Sequence, residues 1–334
     1  MRLIIDGFGK SVIKRDNQIV IRENGEELDY FLPKDLKQII INGKGAITFD
    51  AIELLSDNDV DLIAIDWKGN IKYRLSSMEH NNVEIRKQQY YALNDNRSGY
   101  LAKKFIESKI KNQKATLTTL AKSKNQKNFL INQRDKLDNL LKALDNIQIK
   151  PSKKIRSDIF GIEGIASYEY WLGFRHIISE EYDFLKRSGR GAPDPVNAML
   201  NYSYAILASE VLKSLHTSGL DPYAGFLHSD RYARKSLVFD LVEEFRQQIV
   251  DKSVLKLVNR NQIEKDDFEL RQGMMYIHES CRKLLIKTIL DKLNNDITFN
   301  GIKTTYVDLI FIESKNIVDY LLYLKKYPTF YLRW

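Results

Sequence analysis

One cysteine, Cys281, is all the thiol that 334 residues offer. Neither an intrachain disulfide framework nor a cysteine zinc cluster can be built from it, and a reducing, cytoplasmic setting is the expectation. Proline is sparse as well: six in the chain and none from Lys34 through Lys150, so long helices can run there uninterrupted. No apolar run approaches the ~20 residues that span a bilayer. The opening MRLIIDGFGK lacks a signal-peptide core, because Asp6 and Lys10 break it. Internal repeats and low-complexity tracts are also missing. These absences leave a non-membrane globular protein, and a length above that of a usual single domain suggests two domains.

What is present is positive charge in one place. The chain carries a net +8, yet residues 101–156 hold 15 Lys/Arg against 4 Asp/Glu, an excess of 11, so the remainder is at −3. Such a concentration favours a polyanionic partner; two helices with merely solvated lysine faces are the plainer alternative. If the lysines bind DNA, neutralising Lys103, Lys104, Lys109, Lys111 and Lys114 flattens the salt dependence of binding.

Alternation and turn signals make the first ~75 residues β-rich. Strands are expected at Arg2–Ile5, Val12–Lys14, Gln18–Arg22, Glu27–Phe31, Gln38–Ile41, Leu62–Ile65 and Lys72–Leu75, with a type I′ hairpin at Asn24-Gly25 and one helix near Thr48–Ser56. After Ser76 the period changes, and from Gly99 onward nearly every segment has helical spacing. Asp194-Pro195 is a helix start, a capping aspartate followed by a proline suited to the first turn; that helix runs to about His216. Met274–Leu293 and Thr304–Lys325 also read as helices. The fold class is therefore α+β: a β-rich domain over 1–76, a junction over 77–98 and a larger helical domain over 99–334.

The segment Gly219–Asp251 is the most informative. It sets His228 in a loop marked by glycine and proline, follows it with a basic link from Arg231 to Lys235, and then runs a patterned helix over Ser236–Val250. At 100° per residue, Leu237, Val238, Leu241, Val242, Phe245 and Ile249 share one face, and Asp240, Glu243 and Glu244 fall on the other. Taken alone, that acidic face reads as a solvated one. A lone loop histidine is more often a surface or capping residue, but with His228 nearby the same carboxylates can also serve a divalent-metal site of hard oxygens and one nitrogen. A third ligand must come from elsewhere; Glu163, between Gly161 and Gly164, is the candidate, because glycines let a bulky ligand approach the backbone. Among the aromatic residues that follow, Trp171 and Phe174 read as core, whereas a tyrosine hydroxyl can reach a phosphate.

Four stretches in order carry a family resemblance: Gly161-Ile-Glu-Gly164 with Tyr170-Trp171; Asp194-Pro through Asn201-Tyr202; Gly219-Leu-Asp-Pro222 with Gly225-Phe-Leu-His228; and Ser236-Leu-Val238 through Asp240 to Glu243-Glu-Phe-Arg246. Val83 to Gln89, Lys109 and Asn112-Gln113 add to them. The chain resembles the integrase subunit of CRISPR adaptation, a metal-dependent DNA endonuclease that inserts new spacers. The resemblance implies a sandwich-like β-rich dimerisation domain and a helical catalytic domain. It implies Mg2+ or Mn2+ on Glu163, His228 and Glu243, with Asp240 as a further catalytic acid. It also implies double-stranded DNA as substrate, both protospacer and repeat, a homodimer, and a small ferredoxin-like adaptation partner. Lys109, Arg190, Lys235, Tyr170 and Tyr202 are the expected DNA contacts. Two positions depart from the family pattern: Ala233, where glycine is common, and Gln247, where proline often follows the arginine. A mobile-element integrase of the same fold and a non-catalytic nucleic-acid scaffold stay open as alternatives.

Overall fold

The computed structural model describes residues 2–66, 71–75, 83–123, 127–189, 191–228 and 232–332. Its chain divides into two compact units, Met1–Glu79 and His80–Trp334.

The first unit holds strands β1 (Arg2–Arg15), β2 (Gln18–Glu23), β3 (Glu26–Phe31), β4 (Gln38–Ile47), β5 (Asp61–Ile65) and β6 (Ile71–Leu75), with helix α1 (Phe49–Asp57) between β4 and β5. The sheet order is β3-β2-β1-β4-β5-β6. β4 lies parallel to both β1 and β5, and the other pairs are antiparallel. The two expected strands at Arg2–Ile5 and Val12–Lys14 are one strand. Its glycines suggest an interruption, but it continues through a bulge between Phe8 and Lys10 while β4 pairs along its whole length. Gly43 makes that pairing possible, since a Cβ there would meet the Gly7 carbonyl oxygen at 1.7 Å. Asn24 and Gly25 both have positive φ, as their hairpin requires. Thr48 caps α1 by accepting from the Ala51 N–H, and α1 lays Ala51, Leu54 and Leu55 into a core with Ile5, Ile39 and Leu62.

The second unit begins with α2 (Val83–Ala92), α3 (Asn96–Ser123), α4 (Lys127–Asp145), α5 (Ser152–Arg175), α6 (Pro195–Thr217), α7 (Ser236–Arg246) and α8 (Lys252–Asn259), with a π-helical turn, Gln247–Asp251, joining the last two. Hairpin β7 (Phe268–Arg271) and β8 (Met274–Ile277), helix α9 (Glu279–Asn294), hairpin β9 (Ile297–Phe299) and β10 (Ile302–Thr304), and α10 (Tyr306–Tyr323) complete it. Asp194 caps α6 through the Asn197 N–H, as its sequence suggests. The helix expected over Met274–Leu293 is instead a strand followed by a helix. Gln272 and Gly273 both take positive φ and turn the chain back on itself. Asn300-Gly301 does the same between β9 and β10. The patterned helix of Ser236–Val250 is α7 plus the π turn.

No helix among the described residues is long and apolar enough to cross a membrane.

Candidate functional site

Helix α7 packs against α3 and α6, so its acidic face is not solvated. Asp240 and Glu244 are 0 % exposed and Glu243 is 5 %. Polar side chains of α3 cover that face in place of water. Asn112 donates to the Glu244 carbonyl at 2.9 Å and accepts from the Gln248 amide at 3.0 Å. A buried carboxylate is costly unless it is paired or hydrogen-bonded, and each of the two facing the site is provided for differently.

Asp240 is consumed by the loop that carries His228. Its Oδ2 accepts from the Phe226 and Leu227 N–H groups at 2.6 and 2.9 Å, and its Oδ1 accepts from the His228 N–H at 2.9 Å. His228 Nδ1 lies 2.6 Å from the same Oδ1. The loop is locked at its other end as well. Gln89 on α2 donates to the carbonyls of Asp221 and Ala224 at 2.9 and 2.8 Å, which gives the Val83–Gln89 motif its role. Gly225 sits so close to the start of α7 that a Cβ would meet Ser236 at 2.6 Å. Asp240 therefore orients His228 and fixes its Nδ1, leaving Nε2 as the nitrogen for an outside ligand.

Glu243 is held by cations. Arg246 is 3.1 Å from its Oε1, and Lys109 Nζ on α3 is 2.8 Å from its Oε2. Burial alone raises the carboxyl, but Arg246, Lys109 and His228 outweigh it and pull Glu243 down to about 2. Lys109 also donates to Glu163 Oε1 on α5, to which Ser167 donates at 2.8 Å. Burial works against the Lys109 ammonium, and the two carboxylates more than compensate, so its pKa rises. Glu163, Lys109 and Glu243 thus belong to one electrostatic centre, and His228 lies near enough to act on Glu243. Beside Glu163, Gly161 and Gly164 face open space where a Cβ would stand.

The arrangement fits a divalent cation in part. Lys109 shows that the space between Glu163 and Glu243 suits positive charge. Lys109 Nζ stands 2.8 Å from Glu243 Oε2, where an incoming ion would take its place. Among the described residues no three His, Cys, Asp or Glu side chains stand close enough together to hold an ion as they are, so a metal at these carboxylates displaces Lys109.

Of the expected DNA contacts, Arg190 lies outside the described residues, as does Arg231 of the basic link. Tyr170 and Tyr202 are corrected. They are 0 % and 1 % exposed, and the Tyr170 hydroxyl donates to Asp251 Oδ2 at 2.7 Å, so neither is open to a strand. Helical spacing cannot distinguish a tyrosine facing a neighbouring helix from one facing solvent. Lys109 is an internal cation, while Lys235 stands half-buried just ahead of α7. Of the two departures, Ala233 has a φ of 59°, a left-handed conformation that explains the usual glycine. Gln247 opens the π turn. That turn delivers Asp251, which sequence reading missed, to the hydroxyls of Tyr170 and Tyr204.

Residues 3–290 match the family model described as CRISPR associated protein Cas1. A CRISPR-associated endonuclease Cas1 of Archaeoglobus fulgidus is 40 % identical over 345 residues, covering 100 % of both chains. A CRISPR-associated Cas1 protein of Methanobrevibacter ruminantium is 43 % identical over 337 residues, again covering 100 % of each. Among solved structures, a casposase bound to integration product superposes with a TM-score of 0.84 at 28 % identity, over 97 % of this chain and 91 % of that one. A matched family model and full-length relatives of this identity lead to one conclusion: the chain belongs to the CRISPR-associated Cas1 family.

Proposed function

We propose that this protein is an endonuclease and integrase of CRISPR spacer acquisition, which joins the 3′-hydroxyl ends of a protospacer to repeat DNA by transesterification. The observation that carries this reading is the convergence of Glu163 and Glu243 on one buried cation, Lys109, together with an Asp240-oriented His228 close enough to Glu243 to lower its pKa, in a member of the Cas1 family. Glu163, Glu243 and His228 Nε2 would hold Mg2+ or Mn2+, hard oxygens suiting either and the imidazole admitting manganese. Such an ion lowers the pKa of the attacking hydroxyl and stabilises charge on the phosphoryl and leaving oxygens.

The chain's own residues do the rest. Asp240 keeps the His228 ring turned and its Nδ1 engaged. Arg246 keeps Glu243 ionised. Lys109, once displaced from the two carboxylates, is a cation beside the scissile phosphate. In the reaction the protospacer 3′-oxygen forms a new bond to the target phosphorus, and the bond from that phosphorus to the repeat strand's 3′-oxygen breaks. The proton lost by one hydroxyl is regained by the other. The number of phosphodiester bonds is unchanged, so neither an energy source nor a protein nucleophile is required. Water in place of the attacking hydroxyl gives cleavage.

In this reading double-stranded DNA is the substrate, a small ferredoxin-like adaptation protein is the partner, the location is cytoplasmic, and the two metal sites of a homodimer act on separate strands. Support for pairing through the N-terminal unit comes from β3, an edge strand that exposes Leu28 at 52 % and Tyr30 at 61 %; an open edge of this kind is normally covered. The likeness to a casposase favours one second reading, a mobile-element integrase. The setting of the gene beside a repeat array separates the two.

The test is manganese-dependent integration of a short duplex into repeat DNA, with wild type and Glu163→Gln. The variant should bind DNA and fail to integrate. Wild-type rates in a folded Glu163→Gln protein would sink the assignment.

A further inference from the structure

Apart from the catalytic centre, α8 and α9 pack together and gather three lysines. Lys252 and Lys256 stand one turn apart on α8, and Lys292 lies in the last turn of α9. Lys256 is exposed, whereas Lys252 and Lys292 are half-buried. Each charge is felt by the next. Burial and Lys292 pull Lys252 down from 10.5 to about 7, and burial and Lys256 lower Lys292. Holding like charges together where water is partly excluded costs folding free energy.

The acids nearest in the chain are engaged elsewhere. Asp251, one residue before Lys252, accepts from Tyr170 and Tyr204. Glu279 at the start of α9 and Asp296 just past its end hold Lys283 and Lys303 at 2.6 and 2.7 Å. Asp291 is exposed and turned about 100° around α9 from Lys292. Lys252 Nζ instead donates to a neutral group, Gln248 Oε1, at 2.7 Å, and Gln248 is fixed in turn by donating to Asn112 at 3.0 Å. Lys292 Nζ lies 5.2 Å from the centroid of the Tyr306 ring. Tyr306 is 0 % exposed, and its hydroxyl has no hydrogen-bond partner among the described residues. A buried hydroxyl seldom goes unpaired without a reason.

A compact anion of high charge answers such a cluster. A phosphodiester brings a single negative charge, whereas a terminal phosphate carries about two at neutral pH and offers three strong acceptor oxygens. The half-burial of Lys252 and Lys292 also suits a small head group better than the rounded face of a duplex. We propose that Lys252, Lys256 and Lys292, with Tyr306 beside them, form a binding site for a terminal phosphate group, carried either by a small molecule or by the end of a DNA strand. No step of the integration chemistry passes through this site, so the two readings stand or fall separately.

The test uses the full chain in EDTA, in a phosphate-free buffer at neutral pH and constant ionic strength. Calorimetry with inorganic phosphate should show a saturable site, and Tm should climb with the logarithm of phosphate concentration. Dimethyl phosphate, a diester with one charge, should do neither. Lys252→Met and Lys292→Met, checked for fold by circular dichroism, should each weaken phosphate binding by at least about tenfold. Lys315→Met, which removes an exposed lysine of α10, should leave it unchanged. Two further arms identify the carrier: a nucleoside monophosphate, and a short duplex with 5′-phosphate ends set against the same duplex with 5′-hydroxyl ends. Tighter binding of the nucleotide than of either duplex assigns a small molecule. A preference for the phosphorylated duplex that Lys252→Met abolishes assigns a strand end. A wild type that responds alike to phosphate, chloride and the diester overturns the proposal, and this needs no variant to fold. Phosphate affinity that survives both lysine substitutions overturns it too, since the anion then binds elsewhere on a basic surface.

Discussion

Helix α7 and the surface of α3 and α4 both concentrate charge, and they treat it in opposite ways. On α7, carboxylates that the sequence pattern assigns to water are buried and satisfied one by one. On α3, lysines that the same reasoning assigns to DNA are largely spent on the protein. Lys103 donates to the carbonyls of Asp145 and Ile147 at the end of α4, a favourable place for a cation. Lys104 and Lys111 share Glu107, and Lys114 holds Asp138 at 2.5 Å. Local charge density therefore says little about availability. A carboxylate in an amphipathic helix can be internal when a neighbouring helix offers donors, and a lysine in a basic run can be neutralised by the next turn.

The sharpest way to break this contrast is to remove the nitrogen from the buried centre. His228→Ala should cut integration and metal-dependent cleavage by more than the about 10- to 100-fold typical of outer partners of a metal site, while affinity for DNA stays largely unchanged. Product formation with manganese, read beside binding and circular dichroism, checks it. A folded variant that integrates at the wild-type rate removes His228 from the centre.

Asp240→Asn comes next. The replacement keeps the shape but leaves one acceptor oxygen where two serve three N–H groups and an imidazole. Its NH2 would point a donor at donors. Activity should fall by about 10- to 100-fold, with a stability loss of about 1–3 kcal/mol from the unpaired groups. A normal Tm combined with normal activity would mean that the loop holds His228 without it.

The third effect lies on the back of α7. There Glu244 accepts from Tyr327 at 2.8 Å, close to Glu313 on α10. Burial pushes Glu313 up from 4.5 to about 7, and burial together with the neighbouring Glu313 raises Glu244 well above the usual carboxylate range. A raised carboxyl favours folding below the unfolded value, and that contribution is lost as pH rises through the folded one. Glu313→Gln should therefore gain stability relative to wild type between about pH 4.5 and pH 7, with a constant difference outside that window. Urea melts at stepped pH measure it. A difference independent of pH would show that Glu313 ionises normally in the fold.

These elements also show how far the sequence could be read. Strands followed by helices were legible because alternation and capping are local, as Asn24-Gly25, Thr48 and Asp194 illustrate. The hairpin turns at Gln272-Gly273 and Asn300-Gly301 carried a local signal too, overlooked within a helical periodicity. The ligand candidates came from the α7 pattern, the His228 loop and the glycines around Glu163, and the family resemblance narrowed them to three; the structure brings Glu163 and Glu243 together on Lys109 and has Asp240 hold His228. Two further facts had no local signature. Asp240 serves the loop of His228, and Lys109 lies between two carboxylates, because both depend on which helix covers which face. The inward turn of Tyr170 was hidden for the same reason, since its partner Asp251 lies across the fold.

The smallest effect expected concerns the lysines themselves. Lys142, Lys150 and Lys154 are exposed and belong to none of the ion pairs among the described residues, unlike Lys104, Lys111 and Lys114. The salt dependence of DNA binding counts phosphates neutralised, at a slope of about 0.9 for each in duplex DNA. A lysine already paired must exchange a carboxylate for a phosphate, and its removal leaves that carboxylate bare. Replacing Lys104, Lys111 and Lys114 with glutamine should thus weaken binding through repulsion while moving the slope little. Replacing Lys142, Lys150 and Lys154 should lower the slope itself, by up to about 0.9 per lysine that meets a phosphate. Anisotropy titrations of one duplex over a range of salt concentrations distinguish the two sets. If the slope falls equally in both, intramolecular pairing does not withhold a lysine from DNA, and the contrast between the buried centre and the surface ends at burial.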